Sequence, residues 1–224
     1  MPFLTKVRSP ARKFVEAHAS QIRFKYHLTH SEYKKYEWLS DRDQHVMVVE
    51  DPPKEVPIRF FSIAGDTGKP VRFMLRKPWS YMLVFFSSQG IYLGSVIFFA
   101  LEKLKNDKSR GLRLVPLPNI GYSRGIYVGC CLGDINFPKD TSMQKDAIRA
   151  HDSFWTSTFN YELHLPYMAI PKEVIRRSKP YMEERLKKIC ELSYRKIAWV
   201  RAPSFFPSIE KAVGTFSHRF WEDY

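Results

Sequence analysis

The sequence predicts an α+β domain: an antiparallel β-meander followed by C-terminal helices. Two patterns carry this expectation. From His45 to Leu101, short apolar runs rich in Val, Ile, Phe and Tyr alternate with Pro and Gly turn signals, the mark of paired strands. From Thr141 onward, apolar residues recur instead at three- and four-residue steps, the spacing of a helix face. The 224 residues are 44% hydrophobic and 15% aromatic, enough to bury a core.

Residues 1–43 read as a basic N-terminal arm with clustered Tyr, His and Lys. Within it Val15 to Phe24 fits a short surface helix. His45 to Val49 is a strand that Asp51-Pro52-Pro53 ends, because proline brings no ladder donor. Ile58 to Ile63 and Val71 to Leu75 are the next strands, joined by a turn at Gly65-Asp66-Thr67-Gly68. Tyr81 to Phe86 and Ile91 to Leu101 form a hairpin about Ser87-Ser88-Gln89-Gly90. Leu112 to Val115 and Ile126 to Cys131 are short extended pieces beside an irregular loop.

Thr141-Ser142-Met143-Gln144 matches a capping box with Thr141 as the cap. Behind it Met143, Ala147, Ala150, His151, Phe154 and Trp155 share one helix face. Pro180 opens a second helix on which Met182, Leu186, Ile189, Cys190, Ser193 and Ile197 face inward. Cys190 therefore reads as core. Phe216, Phe220 and Trp221 give the tail an apolar face. Residues 44–170 form the expected core, and residues 171–224 a basic helix and aromatic tail packed on it.

Lys and Arg number 36 against 23 Asp and Glu, a net charge of +13. Such a field attracts nucleic acid, acidic protein or an anionic surface. No run reads as a membrane span, since Tyr81 to Leu101 is interrupted by polar and glycine residues. Three cysteines, with no CxxC pair and no zinc spacing, indicate a reducing compartment and no metal site. The expected location is the cytoplasm or the inside of a phage or nucleoprotein particle, and no cofactor is implied.

The segment Pro116 to Asp134 concentrates turn residues and two adjacent cysteines between the strands and the first helix. Its Pro118-Asn119-Ile120 turn, glycine turn and Cys131-Leu132-Gly133 are similar to the active-site segment of ubiquitin-conjugating enzymes. They resemble most the bacterial and phage branch that includes PRTRC system protein B. Gly125, Pro138 and the helix end Phe154-Trp155-Thr156-Ser157-Thr158-Phe159 extend the likeness over roughly residues 45 to 165. Leu117 stands where those enzymes carry His, and the step from Asn119 to the cysteines is a few residues longer.

The resemblance implies a ubiquitin-conjugating-enzyme-like fold with Cys131 as acyl carrier. A thiolate would take an acyl group from a thioester and pass it to an amine. Asn119 would donate to the oxyanion, a contact worth ~3–4 kcal/mol in comparable sites. Asp134 would receive or orient the amine, and Arg124 would favour the thiolate. The implied partners are an activating enzyme and a ubiquitin-like protein.

The residues alone leave a second reading open. Cys130 and Cys131 sit in an apolar stretch, where adjacent cysteines serve as small buried hydrophobes. The chain is then a basic binding or assembly protein whose partner is nucleic acid or an acidic protein. Arg176, Arg177, Lys179, Lys187, Lys188, Arg195 and Lys196 are the candidate contacts, with Tyr181 and Tyr194 to stack on bases.

Overall fold

The computed structural model describes residues 23–29, 44–61, 70–123, 126–130, 132, 135–138, 141–159, 170–177, 182–204 and 206–222. It is a mixed α+β fold of antiparallel strands followed by helices. The expected helix at Val15 to Phe24 lies largely outside the described residues, as does the turn at Gly65 to Gly68.

Four strands make the main sheet in the order β1 (Arg23–Thr29), β2 (Gln44–Asp51), β5 (Trp79–Ser87), β6 (Tyr92–Ala100), all antiparallel to their neighbours. β1 belongs to the segment read as an arm, so the boundary placed at residue 43 falls inside the sheet. Phe24, Tyr26 and Leu28 alternate there with Arg23, Lys25, His27 and Thr29, a strand pattern that the surrounding cluster of Tyr, His and Lys hid. Every residue from Tyr81 to Phe86 is buried, so both faces of the sheet are covered. Phe98 rests against Phe206 and Phe216, and Phe99 meets Trp199 edge-on. The β5–β6 turn is closed by Gly90, at φ 80°, whose N–H donates to Ser87 O at 2.9 Å.

β3 (Lys54–Phe60) and β4 (Val71–Lys77) form a second antiparallel pair. β3 continues β2 directly and β4 runs directly into β5, so the two sheets share one long hairpin bent at its middle. The bend lies at Asp51-Pro52-Pro53 on one arm and Pro78 on the other. Pro52, Pro53 and Pro78 have no N–H to donate, and the ladder is interrupted there. The prolines thus bend the strand where the sequence reading ended it. β9 (Thr158–Phe159) adds to the second sheet parallel to β3, with Phe60 opposite Phe159.

β7 (Ile120–Ser123) and β8 (Ile126–Cys130) form a small hairpin, with Ile120 opposite Cys130. β7 was expected to be loop, because Gly121 and Pro118 read as turn residues.

Helix α1 (Met143–Thr156) buries Ala147, Ala150, His151, Phe154 and Trp155, the face the spacing predicted. Its cap is Ser142, whose hydroxyl accepts from Lys145 N–H at 3.4 Å. The expected cap, Thr141, instead places its hydroxyl 2.6 Å from Asp146 Oδ1, so the cap shifts by one residue and Lys145 stands where the box would need Glu or Gln. Helices α2 (Lys172–Arg177) and α3 (Met182–Glu191) follow. α3 stops before Ser193, which opens a short 3₁₀ turn at Tyr194–Lys196, and the single helix expected through Ile197 is two pieces. The side chain of Ser193 supplies no capping bond, yet its backbone is extended and ends the helix. Ile197 is buried nonetheless. Helix α4 (Ile209–Glu222) packs Ile209, Ala212, Val213 and Phe216 into the core. No helix among the described residues is long and apolar enough to cross a membrane.

Candidate functional site

Three stretches singled out in the sequence meet at the C-terminal end of α1. Asn119, at the Pro118 turn before β7, is 4% exposed. Its carboxamide nitrogen donates to Ser157 Oγ at 2.8 Å and to Thr158 O at 3.4 Å. Ser157 Oγ in turn donates to Phe154 O at 2.8 Å. On the other side of the small hairpin, Leu132 is buried, and its carbonyl accepts from Ser153 Oγ at 2.8 Å. Arg59 of β3 donates to Thr156 O, joining the second sheet to the same helix end.

Both amide hydrogens of Asn119 are thus spent on the end of α1. In this arrangement the residue pins a loop, each bond contributing ~0.5–1.5 kcal/mol. Cys130 is a half-buried thiol at the end of β8 and packs against the core. Cys131 and Asp134 lie outside the described residues, as does Arg124. Cys190 is partly buried on α3, where burial and then the neighbouring Glu191 charge push its thiol up to about 12. A thiol held there is protonated at neutral pH and inert.

The basic candidates lie elsewhere. Arg176 and Arg177 are exposed at the end of α2, and Lys187 on α3. Arg195 and Lys196 are exposed on the 3₁₀ turn. The Arg195 guanidinium stands 5.8 Å from the Tyr194 ring. Lys188 pairs with Glu191 at 3.1 Å. Lys179 and Tyr181 fall outside the described residues. Tyr194 is half-buried, and its carbonyl accepts from Trp199 Nε1 at 2.7 Å.

Two charged constellations were not anticipated. The first is a buried cluster at the bend of the long hairpin. Asp51, Lys77 and His151 are each fully enclosed. The Lys77 ammonium lies 3.2, 2.7 and 3.3 Å from the carbonyls of Asp51, Pro52 and Pro78 at the proline break. It also lies 3.2 Å from Asp51 Oδ2, and Lys54 Nζ is 2.8 Å from Oδ1. His151 Nε2 is 3.2 Å from Asp51 Oδ2 and 3.1 Å from Trp155 Nε1. A single ring nitrogen either donates to Asp51 or accepts from Trp155, so one proton decides which contact is a hydrogen bond.

Burial by itself raises the Asp51 carboxyl, but the His151 hydrogen bond and the Lys77 and Lys54 charges outweigh it. The carboxyl is held well below the usual range. Burial pulls Lys77 down to about 8 against the opposing pull of Asp51. The sequence signal for this cluster was the run Asp51-Pro52-Pro53-Lys54 facing Lys77-Pro78, which required the register to be read.

The second constellation is a cleft whose walls carry Arg110, Arg113 and Arg201. These arginines come together only through the fold. Among the described residues, no group of three His, Cys, Asp or Glu side chains is arranged to hold a metal ion. No family model matches the chain, and no curated protein or solved structure does either.

Proposed function

We propose that the chain is a ubiquitin-conjugating-enzyme-like protein in which Cys131 carries an acyl group. The observation that supports this reading is convergence. Asn119 and Leu132 are both hydrogen-bonded to the last turn of α1 and the residues just beyond it. Those are the three stretches on which the resemblance rests, and Cys131 immediately precedes Leu132. Cys130 is paired with Ile120, the residue after Asn119. Asn119 is then a positioning residue that fixes the cysteine-bearing loop.

In the reaction, the Cys131 thiolate attacks the carbonyl carbon of a thioester presented by an activating enzyme, and the donor thiol leaves. An amine then attacks the new thioester. Its proton passes to a base, for which Asp134 is the nearest candidate in sequence, and the Cys131 thiolate departs. The acyl group is the C-terminus of a ubiquitin-like protein.

Incubation with an activating enzyme and a ubiquitin-like protein, followed by non-reducing electrophoresis, tests this. A thiol-labile adduct is expected in the parent and in Cys130→Ser. In Cys131→Ser the expectation is no adduct, or an alkali-labile ester. The same adduct in the parent and in Cys131→Ser, or none in either, overturns the reading.

A second reading is supported by a separate observation. Arg176, Arg177, Lys187, Arg195 and Lys196 are exposed, and none has a carboxylate partner among the described residues. A non-catalytic basic binding or assembly protein would use them on nucleic acid or an acidic protein. It predicts binding that weakens steeply with salt and ignores replacement of Cys130 and Cys131.

A further inference from the structure

Arg113 lies on an extended segment threaded between the end of β6 and the stretch Val200 to Ala202. Its backbone pairs with Phe99 on one side, through bonds of 3.0 and 2.7 Å. On the other side it stands opposite Arg201. The bonds flanking that second pair run from Leu114 N to Val200 O at 2.9 Å and from Ala202 N to Leu112 O at 3.0 Å. Arg113 and Arg201 therefore occupy a non-hydrogen-bonded antiparallel site. There the Cα atoms approach to ~4.5 Å and the side chains lie side by side. Like charges directly opposite destabilise a strand pair.

The usual remedy is a neighbouring carboxylate. Among the described residues neither arginine has one within ion-pairing distance, and nor do Arg110 or Lys105. Arg113 Nη1 donates to Trp199 O at 3.4 Å, while its Nε is enclosed and has no hydrogen-bond partner among the described residues. Burial disfavours the Arg113 charge, and the Arg201 charge disfavours it further.

These groups border an indentation of about 420 Å³, the scale of a small-molecule site. A second indentation of about 400 Å³ shares Arg110, Gly111 and Arg113 with it and adds Lys103 and Lys105. Glu102 also lines this second space. Lys103 is already committed, 3.3 Å from Glu50 Oε1 and above the Trp79 ring.

We propose that this double cleft binds a small ligand carrying at least two phosphate groups. One phosphate sits against Arg113 and Arg201, the other towards Lys105, with Arg110 between. A planar guanidinium matches phosphate oxygens two at a time, and a dianion between Arg113 and Arg201 removes the repulsion the free protein carries. Two adjoining basic spaces fit linked phosphates better than a single anion. The proposal does not depend on Cys131.

The test uses the full chain at fixed ionic strength, with calorimetric titration of pyrophosphate, inorganic phosphate, an aspartate-rich peptide and a short single-stranded oligonucleotide. Pyrophosphate is expected to bind at least about tenfold more tightly than inorganic phosphate. Arg201→Gln, at an exposed position, should weaken pyrophosphate by about tenfold or more, and Arg201→Lys should keep part of the affinity. Arg201→Glu should abolish binding and raise the melting temperature of the ligand-free protein by ~2 °C, because it turns a repulsion into an ion pair.

Equal affinity for phosphate and pyrophosphate overturns the proposal. So does undiminished binding by Arg201→Gln, or a lower melting temperature for ligand-free Arg201→Glu. Tighter binding of the peptide or the oligonucleotide than of pyrophosphate also overturns it, in favour of a macromolecular partner. Cys131→Ser should bind pyrophosphate as the parent does, which separates this test from that of the acyl-carrier reading.

Discussion

The hairpin bend and the arginine cleft both gather cations where strands meet, and they treat them in opposite ways. At the bend, Lys77 is fully enclosed yet faces Asp51 and three carbonyls of the proline break. Each charge there answers a deficit created by the backbone. At the cleft, Arg113 and Arg201 face each other across a strand pair, and no acid among the described residues lies within ion-pairing distance of either. The first arrangement is complete within the chain, and the second becomes complete only when an anion arrives. Burial alone does not separate structural from functional charge; whether each cation has an anionic partner within the chain does.

The largest effect that would break this contrast is at Lys77. Lys77→Ala leaves the Asp51 carboxylate with Lys54 and His151 alone, takes the ammonium from three carbonyls and opens a buried space, and should cost ~3–5 kcal/mol in urea unfolding. A loss below about 1 kcal/mol would mean that the bend does not need its ammonium.

Next comes the pH dependence at Asp51. Its folded carboxyl is held below the ordinary 3.8, so the unfolded chain takes up the proton first. The stability it supplies is complete above that pH and drains as pH falls below it. Asp51→Asn should therefore lower stability at pH 7 and flatten the loss between pH 4 and 2, read from thermal melts across that range. Parallel acid limbs for parent and variant would show that Asp51 is not the group responsible.

The smallest expected effect sharpens the other half of the comparison. Arg201→Gln, which removes a repelling and exposed charge, should leave stability within ~0.5 kcal/mol of the parent. A loss like that at Lys77 would place the cleft among the structural charges.

Much of the architecture was legible because it follows local rules. Continuous apolar runs at β2, β5 and β6 and the buried face of α1 could be read directly. β1 was missed although Phe24, Tyr26 and Leu28 alternate with polar residues, because Arg23 and Phe24 also fit the end of the helix expected from Val15 and the rest sits in a basic Tyr, His and Lys cluster. The end of α3 was missed because the apolar spacing continues through Ile197 although the backbone turns at Ser193. Asn119 was found, but as an oxyanion donor; its engagement with Ser157 and Thr158 depends on a helix end far along the chain. The pairing of Arg113 with Arg201 had no sequence signal at all, since nothing local links the two.

The parallel pairing of β3 with β9 has a consequence during synthesis. β3 and β4 can close as a hairpin once residue 77 has emerged, but the outer edge of β3 at Arg59 and Phe60 has no strand beside it until Phe159 follows. For that interval a nascent chain presents bare backbone donors and acceptors next to apolar side chains, the arrangement that recruits strands from other molecules. Completion of α1, which delivers Thr158 and Phe159, is the step that withdraws this edge from the ribosome's surroundings.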